Sequence, residues 1–216
     1  MPSNFRPPRQ QRSAATLDRI AKAAEELFAE RGFEAATVDD IVARAGSSKG
    51  SFYARFADKQ AVLAYLGGEC LARSKATWAE LLDPDRTAGR PLDQVLEELV
   101  RNLVADYRGS DGSVMRALTI EARQRPGGEF QQMTDDLDAH IRDALERLLR
   151  ARSAEITHPS PKRAARMGLL MLDATTREAV LFATDRDGPL GVRDADLRRE
   201  LTRAYLGYLG VQRAQR

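Results

Sequence analysis

The chain has 216 residues, 43% hydrophobic and 31% charged, which is enough to bury one sizeable core or two smaller ones. Its formal net charge of +2 is too small to mark a nucleic-acid binder by itself, and its longest apolar runs, such as MGLLML from Met167, fall far short of the roughly 20 residues that span a bilayer. The single cysteine, Cys70, excludes an intramolecular disulfide framework and fits a reducing cytoplasm.

Residues 1–13 carry Arg6, Arg9 and Arg12 without an acid, a small basic arm that reads equally as a solvated tail or a DNA-contacting arm. The stretch lacks the apolar run of a secretory signal, and Pro7 and Pro8 oppose the amphipathic helix of a transit peptide. From 14 to 31, Leu17, Ile20, Ala21, Ala24, Leu27 and Phe28 recur at helical spacing, and Gly32 follows where a C-terminal cap belongs. A short second helix is expected over 38–45, with Val38, Ile41, Val42 and Ala45 inward. Thr37 is its N-cap, Asp40 completes a capping box, and Gly46 ends it.

A third helix then runs through GSSKGSFYARF, residues 46–56, ending near Phe56. Asp58 caps a longer helix to about 82 carrying Val62, Leu63, Leu66, Cys70 and Trp78, and the DPDRTAGRP stretch from Asp83 breaks the chain. The cleanest periodicity lies between 91 and 108: Leu92, Val95, Leu96, Leu99, Val100, Leu103, Val104 and Tyr107. Further helices are expected over 113–124, 128–152, 161–185 and 194–210, separated by GSDG, RPGG, THPSP and DGPLG, for nine in all. The fold class is therefore all-α. The 161–185 helix is apolar around most of its circumference, which suits a core-central helix or one packed on a second subunit. The last helix offers Leu197, Leu201, Tyr205, Leu206 and Leu209 as its partner, in a four-helix interface between subunits or, nearly as well, in internal packing.

Two short helices joined by a tight glycine-containing turn and braced by a longer one make a helix-turn-helix. At 100° per residue, Phe52 and Phe56 mark the buried side of the third helix, and Gly50 and Ala54 lie nearly opposite, flanked by Ser51 and Tyr53. Small outward residues let a backbone approach base edges in the major groove. Lys49 can donate to guanine O6 and N7, and hydroxyls can bond phosphates or bases. Lys59 stands in the first turn of the next helix, where a cation opposes the dipole unless a phosphate compensates it. A connector helix with a solvated face, and Gly50 as mere irregularity, is the competing reading.

The segment TVDDIVARAGSSKGSFYARFADKQAVL, residues 37–63, resembles the DNA-binding domain of the TetR family of transcriptional repressors. Thr37, Ile41, Ala45-Gly46, Ser48-Lys49-Gly50, Tyr53, Phe56, Lys59 and Leu63 stand in one register with that pattern, and the likeness reaches back to about residue 14, covering roughly a quarter of the chain. It implies that Lys49, Gly50 and Ser51 approach bases while Thr37, Ser48, Tyr53 and Lys59 hold phosphates. Many relatives carry a second aromatic and then His before the final Phe. This chain has Ala54 and Arg55 there, and Arg55 is expected to take a phosphate or a guanine.

The same resemblance implies an arm at 1–13, a helix-turn-helix domain at 14–59 and a helical effector-binding and dimerisation domain at 60–216. It also implies a homodimer on a near-palindromic double-stranded DNA operator, released by a small-molecule effector through a coupling of about 1–3 kcal/mol. No membrane association, cofactor or metal is expected. Trp78, Met115, Thr119, Met133, Met171 and Thr175 are candidate pocket residues, each also readable as plain core or surface. His140 and His158 lie apart from any cysteine–carboxylate cluster, and Cys70 reads first as a buried structural thiol and second as a redox sensor.

An enzyme is the rival class. GSSKGS has Lys-Gly-Ser rather than Gly-Lys-Ser and follows no strand, no Gly-x-Ser-x-Gly elbow occurs, and Asp135-Asp136 falls on a charged helix face. A helical small-molecule-binding or interaction protein without DNA binding is the other alternative.

Overall fold

The computed structural model describes the backbone over residues 11–109, 111–181 and 193–211, and side chains within those limits from Ala14 onward, Leu181 excepted. Its regular elements are helical. In chain order they are α1 (Gln11–Arg31), α2 (Val38–Arg44), α3 (Lys49–Tyr53), α4 (Lys59–Leu81), α5 (Pro84–Thr87), α6 (Leu92–Arg108), α7 (Gly112–Gln124), α8 (Glu129–Ala151), α9 (Pro161–Thr176) and α10 (Asp194–Leu209). No helix among the described residues is long and apolar enough to cross a membrane.

These helices divide into two compact units. The first holds the described residues up to Ala72 and those from Asp111 to Asp135; the second holds Arg73 to Gly109 and the described residues from Asp136 onward. The grouping differs from a break at 59/60 because α7, far along the chain, packs on α1. Helical periodicity shows which face of each helix is apolar, but not which distant helix will cover it.

In the first unit, α1 buries Leu17, Ile20, Ala24, Leu27 and Phe28, and Gly32 closes it by donating its N–H to the Phe28 carbonyl at 3.0 Å. Val114 and Leu118 of α7 and Val62, Leu63 and Leu66 of α4 complete this core. At Gly67, α4 passes α7 closely: a Cβ there would lie 2.8 Å from Leu118 Cδ2 and 3.2 Å from Met133 Cε. Cys70 is buried, as expected for a structural thiol.

In the second unit, α6 presents Leu92, Val95, Leu96, Leu99, Val100, Leu103 and Val104 as one buried face, packed by α9 and α10. Polar groups enter this unit in bonded sets. Trp78 Nε1 and Ser74 Oγ both donate to Asp106 Oδ2, at 3.0 and 3.2 Å. Tyr107 donates its hydroxyl to Asp173 Oδ1 at 2.5 Å, and Arg177 pairs with the same carboxylate. Burial, reinforced by Asp173, raises the Tyr107 phenol well above the usual tyrosine value.

Three sequence expectations change, and one left open is resolved. DPDRTAGRP does break the long helix, but it also starts a new one. The Asp83 side chain accepts from Asp85 N at 2.9 Å, and Pro84 occupies a first-turn position whose missing N–H costs nothing. The described residues therefore hold ten α-helices rather than nine. The third helix ends at Tyr53, although Phe56 N still bonds the Phe52 carbonyl at 3.0 Å and keeps its ring inward. The 161–185 helix is α-helical through Thr176 and widens into a π-turn over Arg177–Leu181, with 182–185 outside the described residues. Finally, Leu197, Leu201, Tyr205, Leu206 and Leu209 of α10 are all buried within their own chain. Among the described residues, Met167, Leu170 and Met171 of α9 are exposed apolar groups. Of the basic arm, 1–10 lies outside the described residues, as does DGPLG.

Candidate nucleic-acid interface

The turn between α2 and α3 is set by short-range chemistry. Thr37 and Asp40 form a reciprocal capping box at the start of α2. At its end Ser47 N reaches the Val42 carbonyl at 2.9 Å and Gly46 N the Ala43 carbonyl at 3.2 Å. That pattern is a Schellman motif, and it needs the positive φ of +55° that Gly46 supplies. Ser48 then caps α3, its Oγ accepting from Ser51 N at 3.2 Å. Arg44 ties α2 to α1 through two contacts to Glu30, at 2.5 and 2.7 Å.

Packing orients α3. Phe52 and Phe56 are fully buried with ring centroids 5.7 Å apart, and Phe56 also meets Tyr65 edge-on at 5.9 Å. Burying two Phe rings contributes about 1.5–3 kcal/mol each, enough to fix the rotation of a five-residue helix with little stability of its own. The opposite side therefore faces outward, with Ser48, Lys49, Gly50, Tyr53 and Ala54 exposed and Ser51 half-buried. Tyr53 is 52% exposed although its ring packs edge-on against Phe52 at 5.3 Å.

Gly50 has no internal reason to be glycine. A Cβ there would meet only Ser48 Oγ, at 3.9 Å, and its φ is not in the left-handed region. The fold leaves room for a side chain at this position.

Three side chains behave differently from the sequence expectation. Lys49 is held by Asp39 of α2, Nζ to Oδ1 at 2.8 Å, and that hydrogen bond raises its ammonium above the usual lysine value. Lys59 stands in the first turn of α4, where backbone carbonyls compensate its charge. Its Nζ donates to the Phe33 and Glu34 carbonyls at 2.6 and 3.1 Å and lies 4.4 Å over the Phe33 ring. Lys59 thus staples the α1–α2 connection to α4. Arg55 turns back along α3, with Nη1 donating to the Ser51 carbonyl at 2.7 Å. Sequence reasoning missed Asp39: its partner lies ten residues on, across a turn, beyond the i,i+4 spacing at which charge pairs are read from sequence.

A family model for bacterial regulatory proteins of the tetR family matches residues 14–66, and a second, for the Tetracyclin repressor-like C-terminal domain, matches 91–209. The chain belongs to the tetR family. Among curated relatives, this tetR-family chain is 31% identical over 135 residues to the uncharacterised HTH-type transcriptional regulator YerO of Bacillus subtilis (strain 168), and 28% identical over 86 residues to YvdT of the same organism. These matches take in 59% and 40% of the chain and span less than half of the relatives' own lengths, 45% and 44%. The same fold appears in Salmonella enterica GusR, with 23% identity, a TM-score of 0.65, and 90% and 95% of the two chains covered. It appears too in a regulator from Saccharomonospora viridis in complex with choline, with 17% identity, a TM-score of 0.71, and 93% and 100% covered. A SmeT–triclosan complex matches with 25% identity, a TM-score of 0.60, and 88% and 90% covered.

The candidate pocket residues of this tetR-family chain are divided between the two units. Met115, Thr119 and Met133 belong to the first unit; Trp78, Met171 and Thr175 belong to the second. Thr119 is committed to the Met115 carbonyl at 2.8 Å, Trp78 to Asp106, and Met171 and Thr175 are exposed. His158 packs against Tyr208 with ring centroids 4.8 Å apart. Among the described residues, no three His, Cys, Asp or Glu side chains gather as metal ligands do.

Proposed function

We propose that the protein is a homodimeric transcriptional regulator that represses from a near-palindromic operator and is released by a small-molecule effector. The observation that carries this reading is the outer face of α3: an exposed Lys49, Ser48 and Tyr53 surround a Gly50 that the fold itself does not require. Such a face lets the helix backbone enter the major groove, where Lys49 donates to base edges and the hydroxyls of Thr37, Ser48, Ser51 and Tyr53 bond phosphates or bases. Lys59 and Arg55 also help hold α3 and its supports in place through their bonds to backbone carbonyls.

Dimerisation is read from α9, whose Met167, Leu170 and Met171 are 42%, 56% and 39% exposed on one side. An apolar strip of this kind marks an interaction site, and a two-fold dimer would carry two α3 helices, one for each half-site. The small-molecule effector is supported by the C-terminal family match and by related structures named for their complexes with choline or triclosan. No catalytic role is proposed, and the cytoplasm suits a DNA-binding regulator with one buried thiol.

A mobility-shift assay with DNA flanking the protein's own gene tests the reading. At low salt, retention of a fragment containing an inverted repeat is expected, weakening steeply as salt rises. Failure to retain any such fragment would overturn it.

A further inference from the structure

The Asp39–Lys49 ion pair lies among the groups assigned to the DNA-facing side and links the two helices of the motif. Both side chains are well exposed, 67% for Asp39 and 61% for Lys49, and Nζ and Oδ1 stand 2.8 Å apart. A carboxylate in that position opposes the phosphates that a DNA-binding surface must approach, so its presence beside the leading cation calls for a specific use.

Base-pair chemistry supplies one. In the major groove every base pair shows one amino donor and one keto acceptor, joined to each other by a Watson–Crick hydrogen bond and therefore about 2.9 Å apart. In G·C the acceptor is guanine O6 and the donor is cytosine N4; in T·A they are thymine O4 and adenine N6. An ammonium and a carboxylate paired at 2.8 Å carry the complementary order at the matching spacing. Set edge-on to a base pair, Lys49 donates to the keto oxygen and Asp39 accepts from the amino group. Neither has to break its contact with the other.

We propose that Asp39 and Lys49 act as one reading unit that senses the amino–keto polarity of a single base pair in each half-site. Asp39 is thereby a specificity-determining residue that also positions Lys49. The orientation with the keto base toward Lys49 is accepted and the reversed pair is rejected, because reversal sets carboxylate against keto oxygen and ammonium against amino group. G·C is bound better than T·A, since guanine N7 gives Lys49 a second acceptor. Gly50, next to Lys49, keeps α3 shallow enough for the pair to reach that depth. This inference rests on the DNA-binding reading above.

The test is selection of bound duplexes from a randomised pool with the full-length protein and its Asp39→Ala, Asp39→Asn and Lys49→Met variants, followed by competition binding with all four base pairs at the position identified. The parent protein is expected to prefer G·C over C·G by about tenfold or more, with T·A between them. Asp39→Ala is expected to lose that polarity while still binding, because a lone ammonium donates to G, T or A edges alike. Asp39→Asn, whose amide can donate or accept, tolerates both orientations and serves if the Ala variant folds poorly by circular dichroism. Lys49→Met is expected to lose the preference for G over T. If Asp39→Ala tightens binding to every sequence equally and leaves base preferences unchanged, Asp39 is only an electrostatic brake and the proposal is wrong. If the parent protein enriches no sequence, DNA binding itself fails and takes the proposal with it.

Discussion

Two adjacent glycines in α4 allow the packing of the first unit to be tested with an internal control. Replacing either by alanine in a helix interior contributes roughly 0.5–1 kcal/mol through lower backbone entropy in the unfolded chain. At Gly68 nothing lies within 4 Å of the added Cβ, so Gly68→Ala should keep that gain. At Gly67 the Cβ would fall 2.8 and 3.0 Å from the two Cδ atoms of Leu118, which is fully buried, and 3.2 Å from Met133 Cε. Overpacking of this kind costs about 1–3 kcal/mol. Because the helix-propensity gain is common to both variants, it cancels in their difference, leaving about 1–3 kcal/mol in favour of Gly68→Ala. For a chain of this size that separates their melting temperatures by about 2–12 °C. Thermal melts or urea titrations at one fixed protomer concentration measure it, since the proposed dimerisation would couple stability to concentration. Equal stabilisation by the two substitutions would show that α4 and α7 do not approach as closely as described.

Lys59→Ala removes two charged hydrogen bonds to the Phe33 and Glu34 carbonyls, so stability should fall by about 1–3 kcal/mol, with DNA affinity lowered for all sequences alike. Affinity loss in mobility shifts without any loss in denaturant titrations would make it a phosphate ligand instead. Glu121 is buried beside Glu34, with Arg125 and Lys59 opposing, and burial raises its carboxyl above the usual glutamate value. A carboxyl pKa raised in the folded state means stability is lost as pH climbs from about 4.3, the unfolded value, through the folded one. Glu121→Gln should therefore be the more stable protein at pH 7, with the advantage shrinking toward pH 4 in parallel melts; an advantage that grows on acidification would reverse the sign of the argument. Leu170→Asp on α9 should leave the monomer's fold intact, because the side chain is 56% exposed, yet split the dimer in sedimentation analysis. Persistence of the dimer would move the interface elsewhere.

The sequence by itself determined the local architecture. Phe52 and Phe56, four apart, set which side of α3 is buried; Thr37 with Asp40 and the Ala45-Gly46 pair set where α2 starts and stops. Caps, turns and amphipathic faces depend on neighbours within a few residues, so they are written in the order of the chain. The helix at Pro84 was hidden only because proline ends one helix and opens another with equal ease.

Tertiary structure alone decided the partners of long side chains and of apolar faces. Lys49 found Asp39, Lys59 found two carbonyls some 25 residues back, and Arg55 folded onto its own helix. The apolar residues of α10 turned out to be buried internally, leaving the exposed strip to α9. A hydrophobic period identifies a face but not what covers it, and a lysine's four-carbon stem reaches acceptors that sequence spacing does not constrain. Gly50 joins the two levels. Its place opposite the Phe52/Phe56 anchor is legible in sequence, but only the open space around it shows that the fold does not need it.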